Sequence, residues 1–148
     1  MTTTTNTGTT TDTRALTMEF DFPHPPAKVW RALTEPELVS KWLMKTDMKL
    51  AVGQPFTFKM QPQGGWDGVI DCEMKEIEPQ KRLRYSWTSM GMTTVVTWTL
   101  AEAKGGTRVQ LEQAGFPVAE SANRFVEGAR MGWQSMAGQR LPEVLGQL

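Results

Sequence analysis

The chain of 148 residues carries sixteen Lys and Arg against sixteen Asp and Glu, with one cysteine and one histidine. Balanced charge without a basic run lacks the electrostatic footprint of a nucleic-acid or membrane-surface binder. Cys72 and His24 alone make neither an internal disulfide nor a zinc ligand set, so no metal or cofactor is expected.

A chain of this length fits one domain that buries roughly 70% of its unfolded surface, enough for a core without staples. The N-terminus has no apolar run, and no stretch approaches the ~20 apolar residues of a membrane span. The expectation is a soluble cytoplasmic protein. Six tryptophans and ten methionines stand out, and both residue types suit a core or a pocket lining.

Residues 1–13 are mostly threonine and are expected to form a disordered tail, with one domain over 14–148. Arg14 to Phe22 alternates as a half-buried strand, with Leu16, Met18, Phe20 and Phe22 on one face. Prolines 23, 25 and 26 end it, and Pro26 is placed to open a short helix through Val29, Trp30 and Leu33. Thr34 is expected to cap a second short helix, Pro36 to Leu43.

From Asp47 the period returns to two. Met48, Leu50 and Val52 lead to a turn at Gly53, after which Phe56, Phe58 and Met60 alternate with polar residues. Strands follow over Gly68–Glu78, with Ile70, Cys72 and Met74 on one face, and through Leu83, Tyr85 and Trp87. Past a turn near Gly91 come Val96, Trp98 and Leu100, then a hairpin at Gly105-Gly106 into a strand carrying Val109 and Leu111.

Ser121 to Leu148 is the one long helical pattern. Val126, Ala129, Trp133, Ala137 and Val144 share one side of a helical wheel, flanked by Phe125, Met136 and Leu141. Arg140 lies about 20° from Trp133 on that wheel, a charge within the apolar face. Pro142 cannot donate to the carbonyl of Gly138 and predicts a kink there.

These residues resemble the START-like (Bet v 1-like, SRPBCC) superfamily and, within it, relatives of the activator of Hsp90 ATPase. The resemblance is carried by P-x-x-VW-x-ALTEPE-x-x-x-KW from Pro26 to Trp42, Val52-Gly53 before Phe56, EIEP-x-x-RL-x-YSW from Glu76 to Trp87, Gly106-Thr107-Arg108-Val109 and Gly132-Trp133. It implies an α+β helix-grip fold: a curved antiparallel sheet of six or seven strands around the long C-terminal helix, two short helices after the first strand, and a cavity between sheet and helix. Relatives range from co-chaperone domains with a stress-response role to small-molecule or lipid binders and a few cyclases, and fold alone does not choose among them.

The leading expectation is a non-catalytic binder of a small hydrophobic or acidic amphipathic ligand. Phe58, Met60, Met74, Tyr85, Trp87, Trp98, Trp133 and Met136 would line its cavity or else fill it as core, with Tyr85 either a ligand hook or a core hydroxyl. Arg140 would anchor an acid or else pair within the fold or leave to solvent near the Pro142 break, and the loops near Gly64 and Gly91 would gate the cavity. The alternatives are a module that contacts a chaperone through its outer sheet, and a cyclase or hydrolase. Asp71 and Glu73 share a strand face that reads as solvated, and a lone His24 assembles no catalytic triad.

Overall fold

The computed structural model describes residues 13–62, 64–118 and 123–148. The expected tail lies outside them, except for Thr13, which opens the first strand. Seven strands form one curved, open antiparallel sheet in the order β1-β7-β6-β5-β4-β3-β2. They are β1 (Thr13–Phe22), β2 (Lys45–Thr46), β3 (Pro55–Lys59), β4 (Val69–Glu78), β5 (Arg82–Ser89), β6 (Met92–Ala103) and β7 (Gly106–Pro117). Helices α1 (Pro26–Thr34) and α2 (Pro36–Trp42) follow β1; α3 (Asn123–Ser135) and α4 (Leu141–Gln147) lie at the C-terminal end, joined by a π-helical turn, Met136–Arg140.

The alternating residues of the strands become two faces. Phe56 and Phe58 of β3, Ile70, Cys72 and Met74 of β4, Leu83 and Tyr85 of β5, and Val96, Trp98 and Leu100 of β6 are buried, while Asp71, Glu73 and Lys75 are exposed on the other side. Trp98 stands at the centre of the interior, with Trp42 of α2 edge-on at 5.8 Å and Trp133 of α3 edge-on at 5.4 Å. Offset and edge-on aromatic pairs of this kind add about 0.5–1.5 kcal/mol each beyond the area they bury.

Two local expectations fail for identifiable reasons. Thr34 does not cap α2; its hydroxyl donates back to the Trp30 carbonyl at 2.8 Å inside α1, and Glu35 takes the cap position without a side-chain bond. The period-two run through Met48, Leu50 and Val52 is not a strand. Asp47 accepts the Thr57 amide at 2.6 Å and the chain then leaves the sheet edge, so Met48 is buried but Leu50 and Val52 are exposed.

The break expected at Pro142 takes the form of the π turn. The Leu141 amide donates to the Met136 carbonyl, five residues back, which adds a residue to that turn and rotates everything after it. Leu141 therefore takes the inward position a regular helix would give Arg140. Trp133, Ala137, Leu141, Val144 and Leu145 are buried, and Arg140 is exposed. No helix among the described residues is long and apolar enough to cross a membrane.

The turn makes a testable asymmetry between neighbours. Leu141→Ala is expected to destabilise by about 2–5 kcal/mol, as for other fully buried leucines, and Arg140→Ala by no more than about 0.5 kcal/mol, as for an exposed side chain. Urea denaturation of both variants checks it, since an uninterrupted α-helix would reverse the order.

Candidate functional site

Most of the expected cavity residues meet one another instead of an empty space. Phe58, Met74, Tyr85, Trp98 and Trp133 are at most 2% exposed and form one interior cluster. Phe58 packs on Tyr85 at 6.0 Å and on Trp87 at 5.3 Å, and Trp87 packs on Trp133 at 5.3 Å. Met136 is partly buried against the same cluster. Phenyl, phenol and indole rings packed at these separations leave no room for a ligand between them.

Two expected site residues are elsewhere. Met60 follows the end of β3, where its amide donates to the Gly68 carbonyl at 2.9 Å, and its side chain is 42% exposed. Arg140 is turned out by the π turn, so it is not an anchor inside the fold. Tyr85 has a core role: burial pushes its phenol well above the ordinary range, and its oxygen accepts the Trp98 indole N–H at 3.0 Å. Cys72 is likewise held as a thiol, chiefly by burial and then by Asp71 and Asp47. Asp71 and Glu73 lie exposed on the outer face, with Glu73 3.3 Å from Lys75 Nζ. No group of three potential metal ligands occurs among the described residues.

The grip stays open at one end. There the β5–β6 turn and the inner face of β7 approach the first turns of α3, leaving a cleft of about 130 Å³. Trp87 forms its inner wall, Met90 comes from the turn and Met92 from the start of β6, and Phe116, Phe125 and Ala129 close the sides. The turn is tight enough to hold Met90 at φ 56° beside Gly91 at φ 77°. Met90 and Phe125 are 63% and 39% exposed, an apolar rim facing solvent.

The floor is polar but uncharged. Gln113 and Thr94 are buried at its base, and the Ser89 hydroxyl lies among the lining groups. Among the described residues no ionisable side chain lines the cleft. A wider surface groove of about 780 Å³ lies between the start of α1, the β4–β5 turn and β6, but Glu78, Lys81, Arg82 and Glu102 mix both signs of charge along it. His24 borders an adjoining hollow with the prolines around it, and its pKa is lowered by burial and then by Lys28.

Of the expected lining residues only Trp87 borders the open cleft; Met90 and Met92 flank Gly91, whose loop was expected as a gate, Phe125 was expected only at the flank of the helix stripe, and Thr94, Gln113 and Phe116 were not anticipated. The signal for Gln113 was present in the sequence. The alternation Val109, Leu111, Gln113 places an amide on the inward face of β7, where a polar side chain requires partners.

Residues 23–146 match the family model described as activator of Hsp90 ATPase homolog 1-like protein. Among solved structures, protein MLL2253 from Mesorhizobium loti is 38% identical, with 90% of this chain and 98% of that one covered and a TM-score of 0.80. DynU16, a protein of the dynemicin biosynthetic locus, is 24% identical over 89% of this chain and 47% of its own, with a TM-score of 0.77. CalU16 from Micromonospora echinospora is 23% identical over 91% and 83%, with a TM-score of 0.68. At that identity the last two share the fold alone. No curated protein matches the chain in sequence.

Replacing Tyr85 by Phe separates a core hydroxyl from a ligand hook. Removing the acceptor leaves the Trp98 indole N–H buried and unpaired, which is expected to destabilise the fold by about 1–3 kcal/mol. Urea denaturation measures the loss, and an unchanged midpoint would mean that the hydroxyl has no such core role.

Proposed function

The chain belongs to the activator of Hsp90 ATPase homolog 1-like family, and from that premise we propose that it binds a small, neutral, apolar molecule in the cleft between the β5–β6 turn and α3. The observation that carries this reading is the cleft itself: an apolar opening with an uncharged polar floor, at the end of the grip where the interior packing stops. Its volume of about 130 Å³ approaches the ~150 Å³ at which an apolar protein cavity accepts a benzene ring.

The chemistry of the lining narrows the ligand. A carboxylate would lose its hydration there without gaining a cation, because no Lys or Arg among the described residues lines the cleft. A neutral ligand loses little on leaving water and gains contact with Trp87, Phe116 and Phe125. Methionines at the mouth, with flexible thioether chains, can close over ligands of different outline.

Thermal unfolding with small aromatic hydrocarbons tests the proposal. Ethylbenzene is expected to raise Tm, with a stabilisation of about 2.7 kcal/mol at a hundredfold excess over Kd. Ala129→Trp, which fills the cleft from α3, should remove the rise, while Met131→Ala, on an exposed side of the same helix, should keep it. Equal responses of the two variants, or no rise in Tm with any neutral apolar probe, would overturn the reading.

A further inference from the structure

The floor of the cleft contains a hydrogen-bonded chain whose direction is set by its innermost member. An indole N–H donates and cannot accept, so Trp133 Nε1 requires an acceptor, and it donates to Gln113 Oε1 at 2.9 Å. This fixes which way the Gln113 amide faces and turns its nitrogen toward Thr94. Gln113 Nε2 donates to Thr94 Oγ1 at 2.9 Å, and Thr94 Oγ1 donates to the Trp87 carbonyl at 3.4 Å.

The amide nitrogen carries two hydrogens, and this chain uses one. Among the described residues no acceptor takes the other. Gln113 is 3% exposed and Thr94 2% exposed, yet both border the cleft. A buried donor with one hydrogen unused, beside an apolar opening, is a recognition element for an acceptor.

We infer that the ligand is a neutral aromatic molecule bearing a carbonyl-type oxygen, which accepts the free Nε2 hydrogen of Gln113 while its ring occupies the space beside Trp87. The inference rests on the reading of this cleft as a ligand site and adds the polar half of the recognition. A ring suits the remaining walls: Phe116 and Phe125 offer faces and edges, and the sulfurs of Met90 and Met92 make favourable contacts with aromatic edges. A carbonyl suits the floor because it accepts without carrying charge, and a bare hydrocarbon leaves the amide hydrogen unpaired. Gln113 is thus a specificity-determining residue, with Trp133 and Thr94 holding its amide in place.

Acetophenone and ethylbenzene have nearly the same shape and differ in the carbonyl, so their affinities for the full chain, measured by NMR titration, isolate the hydrogen bond. Wild type is expected to prefer acetophenone by roughly three- to tenfold, the worth of one neutral hydrogen bond, and to bind benzoate more weakly than either. In Gln113→Met the ratio of acetophenone to ethylbenzene should fall to about one while ethylbenzene still binds. If that variant fails to fold, the carbonyl stretch of ¹³C-labelled acetophenone bound to wild type decides the matter, since a hydrogen bond moves it to lower frequency relative to the same ketone in hydrocarbon solvent. Binding of ethylbenzene with no preference for the ketone and no frequency shift would overturn the inference and leave the apolar site standing. Tighter binding of benzoate would overturn the neutral class, and binding of none of the three would overturn the site itself.

Discussion

Trp133 is the side chain through which the C-terminal helix and the sheet become one body. Its ring contacts Trp98 at 5.4 Å and Trp87 at 5.3 Å, and its single polar atom is tied to Gln113 on β7. A large ring in an interior supplies much apolar burial, but its N–H must be matched. The sheet answers with an amide on an inward position, and that amide needs Thr94 in turn. One buried indole on the helix thus explains why two polar residues stand on the apolar face of β6 and β7.

The strands and their inward faces were legible in the sequence because they rest on periodicity, while the helix-grip arrangement was implied by the resemblance to the family. Alternation in the segments around Phe58, Met74, Trp98 and Leu111 specified which side of each strand is inward, and all four are buried. Periodicity assigns a side chain to an interior but says nothing of the volume between layers. Tyr85 and Trp98 were therefore correctly directed toward the helix and Trp133 toward the sheet, yet whether they would line space or fill it depended on distances of 5–6 Å that only packing settles. The ends of segments failed for another reason. Leu50 and Val52 continue an alternating pattern past the last ladder bond, where there is no partner strand to make use of it.

Arg140 shows how a correct local observation can mislead about position. Pro142 was rightly read as incompatible with an undisturbed helix, but the distortion sits on the N-terminal side of the proline, in the residues whose carbonyls it leaves without a donor. The extra residue in the turn turns the guanidinium outward and seats Leu141 in its place. Gly138 lies within the turn, where a Cβ would approach Phe20 of β1 at 3.5 Å, so the helix stays close to the edge strand as it changes pitch. An arginine within an apolar stripe is thereby accommodated without a buried counter-ion.

The two ends of the grip differ in what covers them, and that difference locates the cleft. At one end α1 and α2 pack on α4 and α2 also on the π turn, and Trp42 of α2 reaches the Trp98 ring while its own N–H donates to the Ala32 carbonyl at 2.8 Å. Aromatic volume and hydrogen bonds are both closed there. At the other end the described start of α3 faces β7 across the cleft, and the β5–β6 turn and the start of β6 supply Met90 and Met92. Gln113 stands where the closed interior gives way to this opening, with its oxygen committed to the core through Trp133 and its nitrogen only half committed. A residue wholly within the core could not keep a free donor at acceptable cost, and one wholly at the surface would have it masked by bulk water. The boundary position permits a donor that is both oriented by the fold and available to a ligand.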